Sequence, residues 1–250
     1  MTADKAYMTL YPDFYDNPTP LTFAKLLNKV HNDRYFDRYY QSVNKKKEGF
    51  YQNLISRRYT LNCKPSDEFF VIDKEFVIGY KNQSTKDISL EKHIKKYDGF
   101  IRQIKERYPT ERWPKEIKQS GEECDFLAIT KEGDILLLEL KQNADTKKIY
   151  LSPLQVEKYA DMTKSLLDDY SDSFFNVLKE MVEQKKRIGI MNPAWEMPQK
   201  LSGKIKTAVV VGGNSSSEAK RKYKLVRDIV GKSTPYYTCN NDGTLIEVAL

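Results

Sequence analysis

Two almost continuously apolar segments, separated by a three-residue polar turn, constrain the fold of this chain more than any other feature. The segments are CDFLAIT (124–130) and DILLLEL (134–140), and the turn between them is KEG. Strands in the middle of a sheet, covered on both faces, have this composition, whereas a strand with one wet face alternates apolar and polar residues. The pair therefore predicts two neighbouring central strands joined by a tight turn.

The segments around this pair predict helices and further strands. Apolar residues at helical spacing predict helices over about 19–40, 49–59, 90–108, 152–167, 172–186 and 215–230. The run EFFVIDKEFVIGY (68–80) predicts a hairpin or two short strands, KTAVVVG (206–212) a strand, and PYYTC–NNDG–TLIEVAL a final hairpin. This order predicts a mixed α/β domain over 66–250 and a helical, basic and aromatic N-terminal region over 1–65.

The composition excludes several classes of function. No apolar run approaches the roughly 18 residues that a membrane span needs, and the start, MTADKAYMTL, lacks the pattern of a secretory signal. The three cysteines are far apart and odd in number, which argues against a disulfide scaffold and a cysteine-based zinc site. The two histidines are too few for most histidine-based hydrolase motifs. We expect a protein of the reducing cytoplasm with no membrane partner.

Positive charge is concentrated near the N-terminus. The formal net charge is +7, and residues 21–60 hold nine basic residues against three acidic ones, which gives +6 for that stretch. Aromatic residues interleave with these cations, as in surfaces that neutralise phosphates and stack on bases. An amphipathic helical segment with solvated charges is the other interpretation. The candidate nucleic-acid contacts are Lys45, Lys46, Lys47, Arg57 and Arg58, with Lys220 and Arg221 in a later basic helix.

Charged residues lie at the ends of the two apolar strands. Asp125 opens the first strand, and Glu139 and Lys141 end the second, where strand alternation points both side chains to one face. Such groups are costly to bury without partners, and a divalent cation is one partner. Mg²⁺ prefers oxygen ligands, lowers the pKa of its bound water and stabilises charge on a phosphate. Lys141 would hold or deprotonate the attacking water, or neutralise charge at phosphorus.

Asp125 followed by Glu139-Leu140-Lys141 on the next strand resembles the D…ExK pattern of the PD-(D/E)xK nuclease superfamily, which has the restriction-endonuclease-like fold. The resemblance covers about residues 88–165 well and 205–230 loosely. Cys124 stands where a proline often precedes the aspartate, at a position that varies within the superfamily.

Two further elements extend the resemblance. Gln155 and Tyr159, four residues apart and so on one helix face, look like the QxxxY element of RecB-type nuclease domains, where the pair lines the active site. The run LEKHIKKYDGFIRQI is similar to the helix that carries a preceding acid in this superfamily, which makes Glu91 the candidate third carboxylate. The residues that compete with it are Glu106, Glu111, Glu122 and Glu123.

The resemblance implies an α/β fold of the restriction-endonuclease-like type, with a mixed central sheet flanked by helices and a helical N-terminal extension. It implies a Mg²⁺-dependent deoxyribonuclease, with Mn²⁺ as a substitute, that cuts by in-line attack and leaves a 5′-phosphate. Asp125, Glu139 and Glu91 would bind the metal, and Lys141, Gln155 and Tyr159 would be catalytic. DNA is the expected partner, and a homodimer is permitted because many nucleases of this fold pair two active sites. Phage defence, a mobile element and DNA repair are all suitable contexts.

Two alternatives stay open. The first is a non-catalytic nucleic-acid-binding or protein-interaction module on the same fold, against which the intact D…ExK and QxxxY elements argue. The second is an enzyme that acts on another phosphorylated substrate, against which the extended basic stretch argues, because a small substrate needs no such surface.

Overall fold

The computed structural model of the chain describes residues 16–17, 19–32, 48–117, 123–231 and 233–250, with the backbone alone at 27 and 30–32. The chain divides into two units, Met1–Phe50 and Tyr51–Leu250. The first unit contains helix α1 (Pro20–Asn32), whose start is capped by Thr19, because the Thr22 backbone N–H donates to the Thr19 hydroxyl at 3.1 Å. The predicted continuation of this helix to residue 40 lies outside the described residues.

The remaining elements follow in chain order. They are α2 (Glu48–Ser56), a π-helix (Arg57–Leu61), β1 (Phe69–Val77), α3 (Gln83–Arg107), β2 (Glu123–Thr130), β3 (Ile135–Gln142), α4 (Thr146–Arg187), β4 (Ile205–Gly212), α5 (Ser217–Val230), β5 (Tyr236–Cys239) and β6 (Leu245–Glu247). No helix of these residues is both long and apolar enough to cross a bilayer.

The six strands form one mixed sheet in the order β1-β2-β3-β4-β5-β6. β3 pairs with β2 in antiparallel and with β4 in parallel orientation, so the two apolar segments are adjacent central strands, as predicted. Every residue of β3 except the last is buried, which explains its lack of polar alternation. The final pair, β5 and β6, is the predicted terminal hairpin. The prediction of a mixed α/β sheet with flanking helices is confirmed.

Helices α3, α4 and α5 build a buried core on one face of this sheet. Alternate strand residues join the helices in this core, and they are Leu127, Ile129, Ile135, Leu137, Val209 and Val211. The helices contribute mainly aromatic and branched side chains, including Tyr97, Ile104, Leu154, Tyr159 and Tyr223. The positions 139 and 141 continue the 135, 137 series of β3, so their side chains extend toward this helical layer.

The predicted hairpin over 68–80 is wrong, because β1 is a single strand that pairs with β2 along its length. The polar pair Asp73-Lys74 is accommodated by an irregularity between Val71 and Asp73, as in a β-bulge, rather than by a turn. Glu75 follows with φ 57°, which is a left-handed conformation uncommon for a residue with a side chain. Local polarity therefore bends this strand and does not end it.

The two predicted helices over 152–167 and 172–186 correspond to the two parts of α4, which meet at a kink with non-helical backbone at Tyr170 (φ −138°, ψ 27°), and the first part begins six residues earlier than predicted, at Thr146. Pro153 lies inside this helix although it cannot donate a backbone hydrogen bond. The Ser152 hydroxyl donates instead to the Ile149 carbonyl at 2.5 Å. This side-chain bond gives the Ile149 carbonyl a donor that Pro153 cannot provide.

The division of the chain differs from the predicted boundary at residue 65. Residues 51–65 belong to the second unit, because Tyr51, Ile55 and Tyr59 are buried there. Tyr59 stacks on Phe69 of β1 with ring centroids 4.6 Å apart, and its hydroxyl accepts the Leu245 N–H at 3.1 Å. Tyr51 and Tyr59, two of the aromatic residues that interleave with the basic residues of 21–60, are here parts of a core.

Gly133→Ala should destabilise the second unit by about 1–3 kcal/mol. Gly133 sits in the turn between β2 and β3 at φ +84°, and a Cβ there would overlap the Lys200 carbonyl oxygen. Urea unfolding measures the effect, with Gly99→Ala as the control. Gly99 lies in α3 with no heavy atom close to a built Cβ, so that change should stabilise by about 0.5–1 kcal/mol. Equal effects of both changes would contradict the steric argument.

Candidate active site

The strands β2 and β3 separate near Asp125, the third residue of β2. Their paired residues run from Ile129 opposite Ile135 to Phe126 opposite Leu138, and the pairing ends there. Beyond that point the Asp125 carboxylate accepts the Leu140 backbone N–H at 2.7 Å. A side chain thus replaces a ladder hydrogen bond, and it fixes the half-buried carboxylate beside the end of β3.

Glu139 and Lys141 form a buried ion pair on the helical side of β3. The Lys141 ammonium donates to Oε1 of Glu139, and the two side chains are 7% and 1% exposed, respectively. Burying either charge alone would be strongly unfavourable, so each stabilises the other in its charged form. The structure therefore brings together three of the predicted residues, Asp125, Glu139 and Lys141, at one end of two adjacent strands.

The thiol of Cys124 lies close to the carboxylates of Glu139 and Asp125. Burial raises the pKa of Cys124 well above its ordinary value, and the nearby Glu139 and Asp125 carboxylates raise it further. A cysteine with a raised pKa stays a neutral thiol, so Cys124 is a packing residue and not a nucleophile.

The predicted helical pair lies on α4, which packs on β3 and β4. The Gln155 side-chain amide donates to the Tyr159 hydroxyl at 3.1 Å across one turn of the helix. Tyr159 is 2% exposed and belongs to the core under the sheet, whereas Gln155 is half-buried. Tyr159 therefore packs in the core and also holds the side chain of Gln155.

A polar layer between α3 and α4 was not anticipated from the sequence. His93 on α3 is 4% exposed, and burial lowers its pKa. One turn further along α3 the Tyr97 hydroxyl donates to Asp161 of α4 at 2.8 Å, and Lys96 pairs with the same carboxylate. The sequence signal for this layer is that His93 and Tyr97 are four residues apart and so lie on one face of α3.

The candidate third carboxylate, Glu91, is exposed on α3. Glu91 is 65% exposed and forms an ion pair with Lys95 at 2.6 Å, one turn along the same helix, which lowers the pKa of its carboxyl. Glu111 is engaged with Arg221, and Glu106 and Glu123 are exposed. Glu122 lies outside the described residues. Within the described ranges, no group of three or more His, Cys, Asp or Glu side chains is arranged to hold a metal ion.

The donor set that is present suits a hard cation. Asp125 and Glu139 offer carboxylate oxygens, and the Leu140 carbonyl directly follows Glu139 in sequence. Mg²⁺ binds through one or two carboxylates and keeps several waters, so two acids are enough to hold it. No soft thiolate is available, because the Cys124 thiol stays protonated.

The residues predicted to contact nucleic acid, where the structure describes them, differ in the partners of their side chains. Arg58 makes a two-pronged ion pair with Asp67, at 2.6 and 2.7 Å, and lies over the Tyr59 ring, so it holds a loop. Arg221 bonds Glu111, with one contact of 2.7 Å. Lys220 is half-buried on α5, Arg57 lies in the π-helix, and the three lysines 45–47 lie outside the described residues.

One cation of the basic helix α5 points inward. Lys222 is buried, donates to the Arg112 carbonyl at 2.9 Å and lies over the rings of Trp113 and Tyr150. It fastens the segment before β2 to the start of α4, and it contributes nothing to an exposed basic face. Cation–π contacts of this kind contribute about 0.5–2 kcal/mol each.

Comparison with known proteins gives no match to this chain among protein-family models, curated proteins or solved structures.

Proposed function

We propose that this chain is a Mg²⁺-dependent nuclease that hydrolyses phosphodiester bonds in DNA, on a fold of the PD-(D/E)xK type. The observation that carries the proposal is the convergence of Asp125 with the buried Glu139–Lys141 pair where β2 and β3 separate. A protein buries such charges at a cost, and structural packing alone would favour apolar residues of the same size. Gln155 and Tyr159, on the helix that packs against β3, support the same assignment.

Each residue has a distinct role in the proposed reaction. Asp125 and Glu139 hold the cation, which when bound lowers the pKa of a water and offsets charge on the phosphate. Lys141 keeps its ammonium beside Glu139, where it orients the attacking water or offsets negative charge at phosphorus. Gln155 and Tyr159 orient Lys141, water or the phosphate by hydrogen bonds. In-line attack of the water would then release a 5′-phosphate.

A non-catalytic module on the same fold is the second candidate, and one observation favours it. Glu139 and Lys141 already form an ion pair with each other. Among the described residues, no group of three or more His, Cys, Asp or Glu side chains is arranged to hold a metal ion. In this case the pair would serve to specify the position of β3, and nucleic acid or protein would bind elsewhere on the surface. The two candidates differ in whether a cation is needed.

A cleavage assay separates the candidates. The whole chain is incubated with Mg²⁺, Mn²⁺ or chelator on supercoiled, linear, branched and single-stranded DNA and on RNA. The control is the double variant E139Q/K141M, purified in the same way, which removes both buried charges together and should keep the fold. We expect DNA cutting that requires the metal and is absent from the double variant. Binding without cutting, equal in both proteins, would replace the nuclease with the binding module.

A further inference from the structure

Helix α5 has a buried side and a basic side. The residues of the buried side are Ala219, Lys222, Tyr223, Val226 and Val230. The opposite side, here called the basic face, holds four cations and one acid, which are Lys220, Arg221, Lys224, Arg227 and Asp228. The other acid of the helix, Glu218, lies beside this face and pairs with the buried Lys222 at 2.9 Å. The outward side of α5 is therefore predominantly positive.

The cations of the basic face are neighbours of one another. Lys220 and Arg221 precede Lys224 by four and three residues, and Arg227 follows it by three. Residues at these spacings lie side by side on a helix, and like charges there destabilise it. The basic face thus weakens the helix that carries it. A binding partner of opposite charge would remove this repulsion.

Ion pairs within the chain leave part of this charge available. Arg221 is paired with Glu111, with one contact of 2.7 Å. Lys220 and Lys224 form no ion pair with another residue of the ranges that the structure describes. Lys164, an exposed lysine of α4, is placed differently, because it pairs with an acid one turn along its own helix. The ammonium groups of Lys220 and Lys224 can therefore meet an external anion.

The basic helix begins at the end of the sheet that holds the candidate active site. Its N-cap hydroxyl, on Ser216, lies 3.4 Å from the hydroxyl of Thr146, the first residue of α4. Lys141 is opposite Val211 at the end of β4, the strand that leads into α5. A nucleic acid bound at the candidate site can therefore reach the start of this helix.

We propose that the basic face of α5 binds the phosphate backbone of duplex DNA, an inference that rests on the proposed nuclease function. With a rise of about 1.5 Å per residue, Lys220, Lys224 and Arg227 span about 10 Å of the helix. Phosphates of one strand follow each other at about 3.4 Å along the duplex axis, so the row matches about three of them. Tyr223, the one aromatic residue of α5, is buried, so the face has no ring to stack on unpaired bases.

Fluorescence anisotropy of the whole chain with a short labelled DNA duplex tests this surface, and chelator in the buffer prevents metal-dependent cutting. The double variant K220Q/K224Q removes two charges and keeps good helix formers. We expect duplex affinity to fall by roughly 10–100-fold at about 0.1 M salt. The slope of log affinity against log salt should become shallower by about 1.8, the value for two phosphate contacts.

The matched control is K164Q/K179Q, which removes two exposed lysines from α4 and should bind as the wild type does. The midpoint of urea unfolding should not fall in K220Q/K224Q, because that change relieves like-charge repulsion. Weaker binding in a variant of undiminished stability therefore assigns the loss to the surface and not to the fold.

The outcomes for this surface and for the nuclease are distinct. The inference is overturned if K220Q/K224Q binds the duplex with the affinity and salt slope of the control, or if the wild type does not bind the duplex. It is also overturned if an RNA duplex binds and the DNA duplex does not. The expected loss of binding, in a chain that cuts no DNA with Mg²⁺ or Mn²⁺, would keep the DNA surface and replace the nuclease with the binding module.

Discussion

Lys141→Ala should reduce metal-dependent DNA cleavage by roughly 10²–10⁴-fold, the usual contribution of a group that transfers protons or offsets charge in the transition state. The same change should lower the free energy of unfolding by about 3–5 kcal/mol, because Glu139 loses its charged partner in a buried position. Cleavage kinetics and urea unfolding in chelator measure the two effects. The stability loss is large enough that activity must be read at a temperature where the variant is folded.

Added Mg²⁺ distinguishes a metal site from a structural pair. A cation bound to Asp125 and Glu139 replaces the missing ammonium as the partner of the buried charge. Mg²⁺ should therefore raise the melting temperature of the variant more than that of the wild type. Lys206→Ala is the matched control, because Lys206 pairs with the buried Asp134 at the opposite end of β3 and β4. The metal assignment would be wrong if Mg²⁺ had the same effect on both variants.

The central strands β2 and β3 could be predicted because most of their residues are apolar. β2 and β3 are covered on both faces, and strands in that position carry consecutive apolar residues. The continuation of β1 through Asp73-Lys74 could not be predicted in the same way. Asp73-Lys74 has the composition of a turn, but pairing with β2 outweighs this local preference and an irregular backbone absorbs it.

The same distinction between local sequence and long-range contacts applies to the candidate active site. Asp125, Glu139 and Lys141 come together because strand alternation and adjacency follow from local sequence. The partners of surface charges do not follow from local sequence, since Arg221 bonds Glu111, which is 110 residues away. Helical spacing also leaves the exposed side of α3 undetermined, and there Glu91 pairs with Lys95 rather than with β2 or β3. The cavity lined by Arg57, Val71 and Lys185 depends on contacts between the π-helix, β1 and α4 that no local pattern contains.

Asp125→Asn separates the charge of this side chain from its hydrogen bond. The asparagine oxygen can still accept the Leu140 N–H, now bonded at 2.7 Å, so stability should change by less than about 1 kcal/mol. The negative charge that would hold the cation is lost. Cleavage should therefore fall by roughly 10²–10⁴-fold, with Mg²⁺ affinity reduced in calorimetry. Asp125→Ala should also lose about 1–3 kcal/mol of stability, because the Leu140 N–H is left without its acceptor.

Asp145→Asn is the matched control for this charge removal. Asp145 caps α4 by accepting the Lys148 N–H at 3.1 Å, and asparagine caps helices equally well. Both variants thus exchange a carboxylate for an amide that keeps a backbone hydrogen bond, but only one of them alters the proposed metal ligands. Cleavage lost in Asp125→Asn and kept in Asp145→Asn, at equal stability, would assign the effect to charge at the corner of β2 and β3. Cleavage kept in both would remove Asp125 from the metal site and leave its carboxylate as a clamp on β3.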